Sequence, residues 1–285
     1  MIWRIRDRVL SPSDHTLVMG IVNVTPDSFS DGGRYAGRDE AVARGMALWH
    51  QGADIVDVGG ESTRPGADPV PVQEEMGRVV PVVGDLVDAG VVVSVDTMKA
   101  EVAAAAVAAG AHIINDVTAL ADEAMATVCA ESGVGVVLMH MLGDPRTMQD
   151  DPRYGDVVVE VRDYLERRVE YALAAGIDRS RLCIDPGIGF GKTFAHNLEL
   201  LAGIDEFGEI GLPVLVGTSR KGFLGQILDN AGVATNADER DAATAATVAL
   251  AISAGAAAVR VHNVSHALQA ARTADAMVRA SRRRK

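Results

Sequence analysis

The chain has 285 residues, of which 48% are hydrophobic and 4% aromatic, and carries a formal net charge of −12. That length suits one large barrel or two smaller domains, and the acidic balance excludes a surface built for nucleic-acid backbones or anionic lipid, because no basic field attracts phosphate. Cys129 and Cys183 lie far apart in apolar segments, so they read as small core residues in a reducing cytoplasm rather than as a disulfide framework.

The first residues alternate charged and apolar side chains (Ile2, Trp3, Arg4, Ile5, Arg6). They lack the apolar core of a secretory leader, and residues 1–15 are expected to form a short hairpin plugging the lower end of a barrel. Eight short apolar runs follow, at 17–23, 55–58, 91–95, 112–115, 135–139, 182–184, 213–216 and 258–261. Helical patterns at 39–51, 72–88, 99–109, 122–131, 157–175, 195–205, 240–253 and 265–280 alternate with them. Eight such units in one chain predict a single α/β domain over 1–285, a (β/α)₈ barrel, with an open doubly wound sheet as the alternative. Residues 279–285 read as a basic, solvated helix end, and no stretch is long enough for a membrane span.

In such a barrel the residues after each strand meet on one face. Here they are Asn23, Asp57 to Pro65, Asp96, Asn115, Met139 with His140, Asp185, Ser219 to Lys221, and Arg260 with His262. A barrel used only as a scaffold has no need of a polar group at nearly every strand end. Asp96, Asn115, Asp185 and Lys221 form a set of acceptors and donors suited to the edge of a flat heterocycle such as a pterin or purine, with Met139 and Phe190 as apolar faces. Arg260 and His262 alternate on one face of the last strand and are expected to make an anion site beside a helix start. The loops at 23–35 (NVTPDSFSDGGRY) and 59–66 (GGESTRPG) are longer and more polar than a connection needs, which suits lids over a site, with Phe29 as an anchor. Asn23 offers a neutral oxygen to a hard cation such as Mg²⁺.

The segments MGIVNVTPDSFSDGG, DVGGESTRPGA, SVDT, INDV, LMHM, DPGIGFGK, VGTSRK and RVHNV follow the eight runs in order. Together they resemble the dihydropteroate synthase family of folate biosynthesis from Met19 almost to the C-terminus. The resemblance implies a (β/α)₈ fold, a cytoplasmic homodimer, Mg²⁺, and the joining of 6-hydroxymethyl-7,8-dihydropterin diphosphate to 4-aminobenzoate with release of pyrophosphate. By position it implies a pterin site of Thr63, Asp96, Asn115, Met139, Asp185, Phe190 and Lys221, with Asn23 at Mg²⁺ and diphosphate on Asn23, Arg260 and His262. Phe29, Arg64, Pro65, Phe190, Ser219 and Lys221 would surround the aminobenzoate, and Asp96, Asp185, Lys221, Arg260 and His262 would carry the chemistry. Asn263 departs from members that carry Asp there. Sulfonamides mimic aminobenzoate, and the family includes both housekeeping and acquired, drug-resistant enzymes.

Three other readings use the same residues. A methyltetrahydrofolate-dependent methyltransferase would keep the Asp/Asn/Asp frame but needs no diphosphate groups, a Schiff-base aldolase would use Lys221 as nucleophile, and a non-catalytic pterin-binding protein would need neither lids nor metal.

Overall fold

The computed structural model of the chain describes residues 1–25, 33–63 and 66–282. Strands β1 (Trp3–Ile5) and β2 (Arg8–Leu10) pair as an antiparallel hairpin. The barrel strands are β3 (Leu17–Asn23), β4 (Ile55–Gly59), β5 (Val93–Asp96), β6 (Ile113–Asp116), β7 (Gly135–Met139), β8 (Leu182–Asp185), β9 (Leu215–Val216) and β10 (Ala258–Val261). They lie side by side in the order β8-β7-β6-β5-β4-β3-β10-β9, and a parallel bridge between Ile184 and Val214 closes the ring. The strands are buried on both faces, as parallel strands must be when helices cover them and side chains fill the interior.

The outer layer comprises α1 (Gly33–His50), α2 (Val72–Asp88), α3 (Ala100–Ala108), α4 (Glu123–Ser132), α5 (Val157–Ala174), α6 (Phe194–Ala202), α7 (Ile204–Gly208), α8 (Gly222–Asn230), α9 (Asp241–Ser253) and α10 (Val264–Arg282). Small residues let α3 lie close to the sheet, with Ala100, Val102, Ala103 and Ala106 buried. Asp122 and Asp156 cap α4 and α5 by accepting backbone N–H bonds.

Two elements differ from the sequence expectation. The helix expected at 195–205 breaks into α6 and α7 around Gly203, and α8 was not anticipated. Its sequence, GFLGQILDN, opens on one glycine and contains another. Each costs about 1 kcal/mol in a helix interior, but burial of Phe223 and Leu224 outweighs that weak preference.

The hairpin is the plug expected of the N-terminus. Trp3 and Ile5 are fully buried and pack with Leu17, Met19, Ile55, Ile113, Val137, Cys183, Leu215 and Ala258, the inward residues at the barrel floor. Gly135 makes room for them, because a Cβ there would meet Ile5 and the Trp3 ring. With this end closed, the opposite end is left for chemistry.

Candidate active site

A cleft of about 440 Å³, including its open mouth, lies at the C-terminal ends of the strands. Ile21, Asp96, Asn115, Val117, Met139, Asp185, Phe190, Gly217, Ser219, Lys221, Arg260 and His262 line it. Parallel register explains why residues so distant in sequence meet. Asn23 pairs with Gly59, Gly59 with Asp96, and Asp96 with Asn115 along neighbouring strands, while Met139 pairs with Asp185. Asn23 and Thr63 belong to described segments but not to this lining. Phe29, Arg64 and Pro65 lie outside the described residues.

The cations of the cleft are already engaged. Arg260 donates from Nε to Asp57 Oδ2 at 2.6 Å and from Nη2 to Asp96 Oδ2 at 2.7 Å. Asn115 also donates to Asp57, at 3.2 Å. The sequence places Asp57 on this face without a ligand or catalytic role, although a carboxylate inside the apolar run IVDVG signals that a cation must reach it. The second oxygens of Asp57 and Asp96 and the hydroxyl of Ser94 are buried without a hydrogen-bond partner. Such orphaned acceptors are costly unless a ligand or water completes them.

Lys221 donates to the carbonyl of Ile188, and its ammonium lies 4.7 Å from the centre of the Phe190 ring. Burial lowers the Lys221 ammonium to about 8; Asp185 and Asp96 pull it up and Arg260 pushes it down. Burial raises Asp185 against the opposing pull of Lys221, the Gly187 N–H, Lys192 and Arg260. Burial also raises Asp96, with Arg260 opposing and Asp57, Glu75 and Asp116 reinforcing it. Arg260 stays charged, because Asp57 and Asp96 outweigh the cost of its burial.

The turn TSR behind Lys221 is held by strain and charge together. Arg220 has a left-handed φ of 61°, and its guanidinium binds both oxygens of Asp241, at 2.9 and 3.1 Å, and also Asp238. That grip turns Ser219 inward, where its hydroxyl accepts from the His262 N–H at 3.0 Å and meets His262 Nδ1 at 2.9 Å. Among the described residues no three His, Cys, Asp or Glu side chains cluster as a metal cage.

The family of pterin binding enzymes matches the chain over residues 19–262. The dihydropteroate synthase of Mycobacterium leprae is 49% identical over 92% of this chain and 94% of its own. Among solved structures, the Yersinia pestis dihydropteroate synthase with a sulfonamide drug complex superposes with a TM-score of 0.89 at 42% identity, covering 99% of both chains. The Xanthomonas albilineans dihydropteroate synthase with 4-aminobenzoic acid gives 0.89 at 47% identity, covering 97% of this chain and 98% of that one.

Proposed function

The chain belongs to the pterin-binding enzyme family, and from that membership we propose that it acts as a dihydropteroate synthase, joining a dihydropterin diphosphate to 4-aminobenzoate. The observation that carries the reading is the cleft itself: Asp96, Asn115, Asp185 and Lys221 converge there, walled by Ile21, Val117, Met139 and Phe190. Two carboxylates and an amide accept the ring N–H groups, and Lys221 keeps further N–H donors beyond the one on Ile188 for ring acceptors. The 4-aminobenzoate carried by the Xanthomonas albilineans relative supports the second substrate.

In the proposed reaction the C–O bond to the diphosphate breaks with its electron pair leaving on oxygen. The electron-rich ring spreads the cation, and Asp96 and Asp185 stabilise it. The neutral amine of 4-aminobenzoate donates its lone pair to the methylene carbon and then loses a proton to solvent or to the departing pyrophosphate. No strong general base is required, because the aromatic amine attacks in its neutral form. Arg260 and His262 meet the leaving group, with the Ser219 hydroxyl bonded to His262. Among the described residues there is no protein cage, so a cation would take one oxygen from Asn23 and the rest from diphosphate and water, a donor set that suits Mg²⁺. Bound there, Mg²⁺ would neutralise charge developing on the leaving oxygens.

The reading includes a homodimer in the cytoplasm. We place the contact on α9 and α10, which pack against each other and leave Leu250 and Met277 each 69% exposed, and the free buried thiols of Cys129 and Cys183 suit a reducing compartment. Among the described residues no helix is long and apolar enough to cross a membrane.

Pyrophosphate release that requires both substrates tests the activity. Asp185→Asn keeps the shape of the site but leaves a ring N–H poorly paired, and kcat/KM should fall at least about a hundredfold, near 3 kcal/mol. Turnover within threefold of wild type would remove Asp185 from the pterin frame.

A further inference from the structure

The motif DPGIGFGK ends on Lys192, a lysine only 3% exposed that is absent from the cleft lining. Its Nζ lies 2.8 Å from His140 Nδ1, 3.3 Å from the His140 carbonyl and 2.9 Å from the Phe190 carbonyl. Three partners match the three N–H groups of an ammonium when His140 Nδ1 is the unprotonated ring nitrogen. Two of them are carbonyl oxygens, which only accept. Burial and the neighbouring Lys192 charge lower His140 to about 3, and an amine is intrinsically about four pH units more basic than an imidazole. The imidazole is therefore neutral and any positive charge of the pair sits on the amine, which burial itself pushes well below the ordinary lysine range.

The position of that ammonium has consequences for the cleft. Gly187 threads between the His140 carbonyl and Lys192: with φ at 68°, a Cβ there would collide with the carbonyl and sit 3.4 Å from Nζ. The Gly187 N–H in turn donates to Asp185 Oδ1 at 2.7 Å. Lys192 thus touches both neighbours of the loop that presents the Asp185 carboxylate and the Phe190 ring, without entering the cleft. The loop has other tethers: Lys221 donates to Ile188 O, Gln149 to Gly189 O and Tyr154 to Gly191 O, and the Gly189 N–H donates to Asn197 Oδ1; of these only Lys221 is charged, and it lines the cleft.

Resting on the pterin-site reading, we propose that Lys192 is a positioning residue: its buried ammonium fixes the 185–192 loop against the end of β7 and supplies, from behind, a positive charge that keeps Asp185 able to accept from the ring. The groups facing Asp185 are Lys192 and the Gly187 N–H on its own loop, Lys221 at the start of α8, Arg260 on β10, and Cys183 within β8. Asp96 and Asp57 act through Arg260, His140 stands behind Lys192, and His262 lies across the cleft. Of the three cations, Lys192 alone is absent from the cleft lining. Burial pushes the Lys192 ammonium well below the ordinary lysine range, with Asp185 opposing that and Lys221 adding to it, so its charge depends on Asp185 as Asp185 depends on it.

Binding of 6-hydroxymethylpterin, which lacks diphosphate, is measured against pH for wild type, Lys192→Met and Tyr154→Phe, with melting temperature as the folding control. Lys192→Met should weaken binding at pH 7 by about tenfold or more and move the acid limb of the profile up by about one pH unit, the size expected for losing a nearby charge. Tyr154→Phe removes a neutral tether from the same loop and should leave that limb in place. A Lys192→Met profile superimposable on wild type, or a Tyr154→Phe limb that moves as far, would overturn the proposal. If Lys192→Met does not fold, nitrogen-15 spectra of lysine-labelled wild type read the charge directly. Three protons on the Lys192 nitrogen at pH 7 support the role, and two refute it. Wild type that binds no pterin while Lys192 carries three protons would instead sink the functional reading alone.

Discussion

Single residues in this barrel act in charge-coupled groups, and Arg260 shows the effect most directly. Its position on the last strand suggests a cation facing an anionic ligand, yet its guanidinium also holds Asp57, which is fully buried, and Asp96. Removing one partner of a buried ion pair typically costs about 3–5 kcal/mol, because the remaining charge is left without compensation. Arg260→Ala should therefore lower stability by that order and weaken a pterin without diphosphate as well as the full substrate. The sign of its pH dependence follows from Asp96, whose carboxyl is already raised above its ordinary value by burial. Without Arg260 it rises further, the unfolded chain binds fewer protons than the folded one above about pH 3.9, and the penalty grows as pH rises through that window. Denaturant titrations of the variant at pH 5 and pH 8 check both claims. A loss under 1 kcal/mol at both values would mean that Asp57 and Asp96 find other partners.

At the scale of elements, the two ends of the barrel have separate duties. The hairpin β1–β2 closes the floor with Trp3, whose Nε1 donates to the Arg181 carbonyl at 2.8 Å. The opposite end gathers strand termini and loops whose backbone is held by side chains from neighbouring units, as Arg168 of α5 holds the carbonyls of Ala119 and Leu120 at 2.7 Å each. Those two residues have left-handed φ values of 53° and 63°, a conformation unfavourable for non-glycine residues, and the clamp compensates for it. Trp3→Ala should then cost about 3–5 kcal/mol through the cavity it leaves, with KM for both substrates unchanged. A large rise in KM would show that the floor and the rim are coupled. The element that sequence reasoning missed, α8, sits behind Lys221. Its two glycines punctuate the pattern, and only packing against the sheet reveals it.

For the whole molecule, the exposed apolar residues of α9 and α10 carry the expectation of association. The two helices bear Leu250 and Met277 with 69% of each side chain in solvent. Leu250→Glu combined with Met277→Glu should convert a dimer to a monomer in sedimentation velocity, while the melting temperature of the monomer stays near that of wild type diluted below its dissociation constant. A double variant that sediments like wild type would place the contact elsewhere.

The chain by itself determined the barrel and the rim. Alternating apolar runs and helical patterns leave few architectures, and a parallel barrel brings strand ends together whatever fills its core. Asp96, Asn115, Met139, Asp185, Phe190, Ser219, Lys221, Arg260 and His262 were legible for that reason, since each lies at the end of an apolar run or in the loop that follows it, and all of them line one cleft. Only the tertiary structure decided which charges face which. Asp57 looks like an interruption of a strand until Arg260 reaches it from 203 positions away, and Lys192 looks like the solvated end of a glycine loop until the His140 carbonyl and imidazole enclose its ammonium. Periodicity reports which side of an element is buried, whereas the pairing of buried charges depends on distances between elements, which no local pattern encodes.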